Sequence, residues 1–288
     1  MPTVSSRAGS ALAFQVREGP GPTCIFVNGI ATVSSYWAPL LDHLEGRARL
    51  VTWDLKGHGD SAPAPTAAAA ALPELAHDLF TVADAAGARG PVLLFGFSMG
   101  CQVILEAWRH HSERVAALVP AFGSFGRPFD TFLHPAVGPT AFRVYRRMGR
   151  RRNTLLFRSG FWASRLPFFH RLNQLTWMVG PTTTRAQMQP FYDHMGRIDP
   201  QTWTWMIRHA QAHSAADLLP AITAPTLVFA GGRDLLTPPA RGRTIAEAVP
   251  GARLVELPHA THTGLLDESA RVHAEVDAFL AEHGLLDG

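Results

Sequence analysis

The chain has 288 residues, 47% hydrophobic and 17% charged, which is enough for a large core and excludes a disordered protein. Formal net charge is +3, nearly all the positive charge is arginine, and Lys56 is the only lysine, so the balance does not call for a nucleic-acid partner. No apolar run is long enough to span a membrane, and no basic, apolar and small-residue pattern marks a signal peptide, so a cytoplasmic protein is expected.

Residues Thr3 to Ser6 and Ala11 to Arg17 read as two short strands, with Phe14 and Val16 on one face of the second. Gly19-Pro20-Gly21-Pro22 is a turn, and Thr23 to Val27 a buried strand ending at Asn28-Gly29. A loop from Ile30 to Ser35 leads to a short helix at Tyr36 to Leu41, and Arg49 to Trp53 is the next strand. The Ala/Pro-rich residues Ala62 to Ala71 read as a surface link without chemistry. From Pro73 a helix is expected, because Leu75, Leu79, Val82, Ala83 and Ala86 recur at helical spacing, and Gly87 and Gly90 close it. Pro91 to Phe95 is a buried strand, Cys101 to Trp108 a helix, and Val115 to Val119 another strand. Cys24 and Cys101, the two cysteines, are expected as buried thiols rather than a disulfide.

Strands and helices thus alternate from Cys24 to Val119, which predicts an α/β protein with a mostly parallel central sheet flanked by helices. The pattern resumes with a strand at Thr226 to Ala230, a helix at Pro239 to Val249, a strand at Arg253 to Leu257 and a helix at Glu268 to His283. Between them the chain turns arginine- and aromatic-rich, with Phe157, Phe161, Trp162, Phe168, Phe169, Trp177, Phe191, Trp203 and Trp205. The expected division is a core of residues 1–121 and 218–288 and a helical cap insertion of residues 122–217. The cap would sit over the C-terminal edge of the sheet, where open parallel sheets carry their ligands.

Gly96-Phe97-Ser98-Met99-Gly100 lies between a buried strand and a helix, the setting in which G-x-S-x-G forms a sharp nucleophile turn. Serine needs a base to take its proton as it attacks, and histidine titrates near the working pH. The histidine in turn needs a carboxylate to fix its tautomer. Asp234 follows the strand Thr226 to Ala230, and His262 follows the strand Arg253 to Leu257, so the order along the chain is Ser98, Asp234, His262. His259 is the rival base, three residues away.

With these stretches the chain resembles the α/β-hydrolase superfamily, in its serine-nucleophile branch with a helical cap. Phe26-Val27-Asn28-Gly29-Ile30 is similar to the family's oxyanion loop, with Asn28 where histidine is common. Trp53 to Ser61 is similar to its D-x-R-G-x-G-x-S signature, with Lys56 where arginine is usual. Gly231-Gly232-Arg233-Asp234 resembles its acid turn, and His262, five residues before Asp267 and the last helix, its catalytic histidine. The resemblance implies Ser98, Asp234 and His262 as catalytic residues and the amides of Ile30 and Met99 as oxyanion donors. Asn28, Phe161, Trp162 and Trp177 are expected to bind substrate, the aromatics as part of an apolar ceiling above Ser98.

The implied activity is cleavage of a small-molecule carboxylic ester, with an apolar acyl group, through an acyl-enzyme. Lactonase, thioesterase, perhydrolase and C–C bond hydrolase chemistry use the same constellation and stay open. So does a ligand-binding receptor with an intact but slow triad. Haloalkane dehalogenases and epoxide hydrolases of this fold use an aspartate nucleophile, which Ser98 disfavours. No cofactor is expected, and the fourteen histidines form no H-E-x-x-H or comparable metal pattern. His58 and Asp54 are expected to brace turns, and His110-His111 to be exposed. Arg143, Arg146, Arg147, Arg150, Arg151 and Arg152 read as a solvated helix face, not a nucleic-acid or membrane site, with attraction of an anionic substrate as a second use.

Overall fold

A computed structural model describes residues 1–148 and 150–286, without the side chains of Arg150, Leu156 and Phe157. Expectations about the Arg150 and Phe157 side chains, and about residues 287–288 of the predicted core, lie outside the described residues. The strands are β1 (Thr3–Ser5), β2 (Ala11–Arg17), β3 (Thr23–Val27), β4 (Arg49–Trp53), β5 (Val92–Phe97), β6 (Val115–Ala121), β7 (Leu227–Gly231) and β8 (Arg253–Leu257). They form one sheet in the order β1-β2-β4-β3-β5-β6-β7-β8. β1, β2 and β4 pair antiparallel, and every pairing from β4 through β8 is parallel.

The parallel strands are apolar on both faces because helices cover both. In the centre, Ile25 sits level with Val51 of β4 and Leu94 of β5. On one side, Leu75, Leu79 and Val82 of α2 (Leu72–Ala85) and Val103 and Ile104 of α3 (Met99–His111) build the core. On the other, Leu40, Leu41 and Leu44 of α1 (Ala38–Leu44) pack with the C-terminal helix.

Between β6 and β7 the chain leaves the sheet for a helical insertion at 138–212. It contains α4 (Gly138–Arg147), α5 (Arg150–Ser164), α6 (Phe169–Leu175), α7 (Arg185–Met195) and α8 (Pro200–Ala212). After β7 come α9 (Pro239–Ala248), the short α10 (Gly264–Asp267) and α11 (Ser269–Glu282), whose Val272, Val276 and Phe279 complete the second core layer.

Two expectations change. β5 and β6 each run two residues further than the apolar run suggests, to Phe97 and Ala121. A glycine at 96 masks the strand in the sequence but suits its end, since a Cβ there would lie 2.6 Å from Gly100 O. Residues Ala62 to Ala71 are not simply a surface link, because Ala64, Ala69 and Ala70 are buried. The cause is Lys56, which is fully buried, donates from Nζ to Ala69 O at 2.9 Å, and lies 2.7 Å from Asp78 Oδ2 on α2. Burial pushes the Asp78 carboxyl up to about 6 against the pull of Lys56. Cys24 and Cys101 are buried and unpaired, and burial pushes the Cys24 thiol up to about 12.

Candidate active site

Ser98 stands between the end of β5 and the first turn of α3 with φ 54° and ψ −117°, a conformation that a non-glycine residue adopts only when its surroundings hold it there. Its N–H donates to Ala121 O at 3.1 Å, which ties the turn to β6. The turn is tight against β3: a Cβ on Gly100 would lie 2.4 Å from Val27 O. A Cβ on Gly29 would lie 2.8 Å from the Ser98 Cβ, so the loop after β3 passes directly beside the serine. Met99 is the first residue of α3, where a helix has no carbonyl of its own for the N–H.

That loop is braced by two side chains. Asn28 is buried and donates from Nδ2 to Trp53 O at 3.0 Å, so it links β3 to β4 rather than facing a ligand. His58 accepts the Ala31 N–H at Nε2 (3.0 Å), and its Nδ1 meets Lys56 O at 3.0 Å. Both contacts suit a neutral ring, and burial pushes the imidazole down to about 4. The expected turn residue His58 therefore supports the Ile30–Ala31 stretch. Asp54 braces the same turn by accepting the Asp60 N–H at 3.0 Å.

Asp234 and His262 meet from the loops after β7 and β8. Asp234 Oδ2 lies 2.8 Å from His262 Nδ1, and Oδ1 accepts the N–H groups of Leu236 (2.8 Å) and Thr237 (2.9 Å). The carboxylate is 2% exposed, so these bonds are the compensation for its burial. His262 is 8% exposed and its ring lies 5.0 Å from that of Phe97, whereas His259 is exposed. With Nδ1 turned to Asp234, the other nitrogen of His262 is left for the cavity, which Ser98, Met99 and Ile30 also line.

The cavity has a volume of about 320 Å³ and a wall that is almost wholly apolar. The ceiling differs from expectation. Phe161 and Trp162 line a separate groove with Arg158 and Met195, and Trp162 is 61% exposed. Phe161 is held there by Gly196, whose missing Cβ would lie 2.4 Å from the ring, and by the Arg165 guanidinium 4.5 Å above it. Trp177 stacks under Arg233 at 4.1 Å, outside the cavity. The wall is instead made by Phe169 of α6, Met188, Phe191, Tyr192 and Met195 of α7, and Phe129 and Phe132 of the stretch after β6.

A signal for α7 is present in the sequence. Thr184 and Gln187 form a capping box, and Met188, Phe191, Tyr192 and Met195 follow at helical spacing. Pro190 within that run obscures it. Asp267, whose spacing marked His262, fastens α10 to the insertion: it accepts from Thr183 N (3.0 Å) and Thr263 Oγ1 (2.8 Å) and bonds the Thr183 hydroxyl.

Among the described residues no group of three or more His, Cys, Asp or Glu could hold a metal ion. No described helix is long and apolar enough to cross a membrane. Arg143, Arg146, Arg147, Arg151 and Arg152 are exposed, and so is His110, while His111 is half-buried against Phe80.

A sheet of this order, with a strained serine after β5, an acid after β7 and a histidine after β8, defines a hydrolase architecture. Residues 22–269 match the family model for the alpha/beta hydrolase fold, and the chain belongs to that family. It is 28% identical over 249 residues to a Klebsiella pneumoniae protein that carries the name of a carbamate hydrolase, RutD, covering 84% of this chain and 85% of that one. It is 27% identical over 274 residues to the pimeloyl-[acyl-carrier protein] methyl ester esterase of Stenotrophomonas maltophilia, covering 94% and 97%. Among solved structures, the esterase RhEst1 from a Rhodococcus species superposes with a TM-score of 0.76 at 23% identity, covering 97% and 98%, a likeness of fold.

Proposed function

We propose that the protein is a serine hydrolase that cleaves carboxylic esters with an apolar acyl group. The observation that carries this reading is the 2.8 Å contact of Asp234 with His262 at the wall of an apolar cavity that also exposes Ser98. Ser98 attacks the ester carbonyl while His262 takes its proton, and Asp234 keeps the imidazole in the required tautomer. The amides of Ile30 and Met99 hold the oxyanion, at about 3 kcal/mol per donor. His262 returns the proton to the leaving alcohol. Water then enters by the same route, with His262 as base, and releases the acid.

Residues 122–217 act as a cap on the core of residues 1–121 and 218–288, since α6 and α7 supply much of the cavity wall. Among the described residues that wall holds no Lys, Arg, Asp or Glu, which favours a neutral acyl chain over a charged one. The name of the methyl ester esterase relative supports an ester, while the other relative is named for a carbamate.

A fluorophosphonate probe followed by peptide mapping tests the nucleophile, and the label is expected on Ser98. A series of p-nitrophenyl esters tests the cavity. Each methylene buried contributes roughly 0.8 kcal/mol, so kcat/KM is expected to rise about fourfold per methylene from acetate until the cavity is full. A label elsewhere removes the hydrolase assignment. A series that is flat or falling removes the apolar acyl site, and one stoichiometric acylation without turnover indicates a receptor.

A further inference from the structure

Gln102 lies one helical turn beyond the serine on α3 and lines the cavity, yet the triad has no use for it. It is 1% exposed, so its amide is a buried polar group that the fold has to satisfy. Nε2 donates to Ala210 O at 3.0 Å, on α8. That carbonyl only accepts, so the atom facing it is the amide nitrogen and the flip of the group is determined by chemistry. The same Nε2 lies 2.9 Å from His213 Nδ1. His213 therefore accepts at Nδ1 and presents Nε2–H to Glu106 Oε1, 2.8 Å away.

Glu106 is one further turn along α3 and 3% exposed. Burial works against its charge, but the bonds from His213 and Arg109 hold its carboxyl below the usual range. Arg109 is itself held by Asp217 at 2.8 Å. A chain of hydrogen bonds thus runs from the surface through Arg109, Glu106 and His213 to Gln102. It uses both donors of the Gln102 amide. Among the described residues nothing donates to its Oε1, and the side chain lines the cavity.

We infer that Gln102 is a specificity-determining residue whose Oε1 accepts a hydrogen bond from an N–H or O–H group in the acyl part of the substrate. His213 is a positioning residue that keeps the amide from rotating. The acyl side is the one concerned because the leaving group faces His262, which returns its proton, while Gln102 stands on α3 and is tied to α8. This rests on the hydrolase reading for the site but adds a substrate feature to it: an apolar acyl chain carrying one neutral donor. A buried acceptor left without a partner penalises the analogue that lacks the donor.

Three matched pairs of p-nitrophenyl esters test this, each pair differing only by N–H in place of CH2: N-acetylglycinate against 4-oxopentanoate, 3-acetamidopropanoate against 5-oxohexanoate, and 4-acetamidobutanoate against 6-oxoheptanoate. The parent enzyme is expected to prefer the amide by roughly tenfold in kcat/KM at one of the three lengths. In Gln102→Met the ratio at that length falls to about one, and His213→Phe lowers it as well. The ratio is taken within one variant, so a general loss of activity does not mimic the result. No amide preference at any length, or a preference retained in Gln102→Met, overturns the inference. Calorimetric binding of the same pairs to Ser98→Ala reads the ratio without turnover. Absence of hydrolysis in the parent would then count against the hydrolase reading alone, and equal binding within every pair against this one.

Discussion

The sheet region and the helical insertion treat polar and apolar side chains in opposite ways. At the sheet's C-terminal edge, several buried polar side chains are tied to the backbone or to one another. Asp234 holds two amides and His262, His58 joins two loops, and Lys56 is enclosed with Asp78. In the insertion the large apolar side chains are the unusual feature, with Leu155 and Leu175 each 66% exposed. Its inner face is built from Met188, Met195, Phe169 and Phe191, and flexible thioethers adapt to the shape of what they cover. The difference separates a hydrogen-bonded edge that carries Ser98, Asp234 and His262 from an apolar insertion that shapes the cavity.

Substitutions should follow that division. The largest effect belongs to the sheet edge: His262→Ala is expected to lower kcat/KM by at least ~10³, with His259→Ala within about twofold. The reverse result in a steady-state ester assay would move the base by three residues. Next is stability. Lys56→Met leaves the buried Asp78 carboxyl without its partner and should cost about 3–5 kcal/mol in denaturant unfolding, and adding Asp78→Leu should recover most of it. Equal losses in the single and double variants would mean that packing, not charge, holds this part of the core.

A pH effect comes third. Burial pushes the folded His58 imidazole from its ordinary 6.5 down to about 4, so the unfolded chain binds the extra proton first. Stability from this group is complete above about 6.5 and is lost as pH falls toward 4, about 3 kcal/mol in all. His58→Gln should therefore show a smaller drop in unfolding midpoint between pH 7 and pH 4 than the parent. An identical drop would assign the acid sensitivity to other groups, with His194, pushed down to about 3 by burial, the next to test. The smallest effect belongs to the insertion's outer face: Trp162→Ala should change stability by less than about 0.5 kcal/mol and ester turnover not at all. A large loss of turnover there would bring the ceiling back to Trp162.

Much of the sheet could be read from the chain because a strand buried on both faces announces itself as a short apolar run. Thr23 to Val27 and Arg49 to Trp53 have the bounds that their composition suggests. Ser98, Asp234 and His262 were legible for a related reason. Each stands in a turn directly after a strand, and in a parallel sheet all such turns share one edge, so order along the chain implies nearness in space. Lys56 shows the limit: the sequence marks it as unusual, but its burial against Asp78 and Ala69 depends on how α2 and the Ala-rich stretch fold over it.

The cavity wall was decided by tertiary structure. Aromatic content alone pointed to Phe161, Trp162 and Trp177, which lie outside it, because any helix rich in aromatics offers several faces and composition does not choose among them. The choice comes from long-range contacts, such as Asp267 to Thr183 and Gly196 against Phe161, that set how α5 to α7 sit on the sheet. The sequence by itself therefore determined the sheet and the order of Ser98, Asp234 and His262 along its edge, since both follow from local pattern and strand direction. Which side chains close the cavity, and the fixed amide of Gln102 among them, followed only from helices packing across residues far apart in the chain.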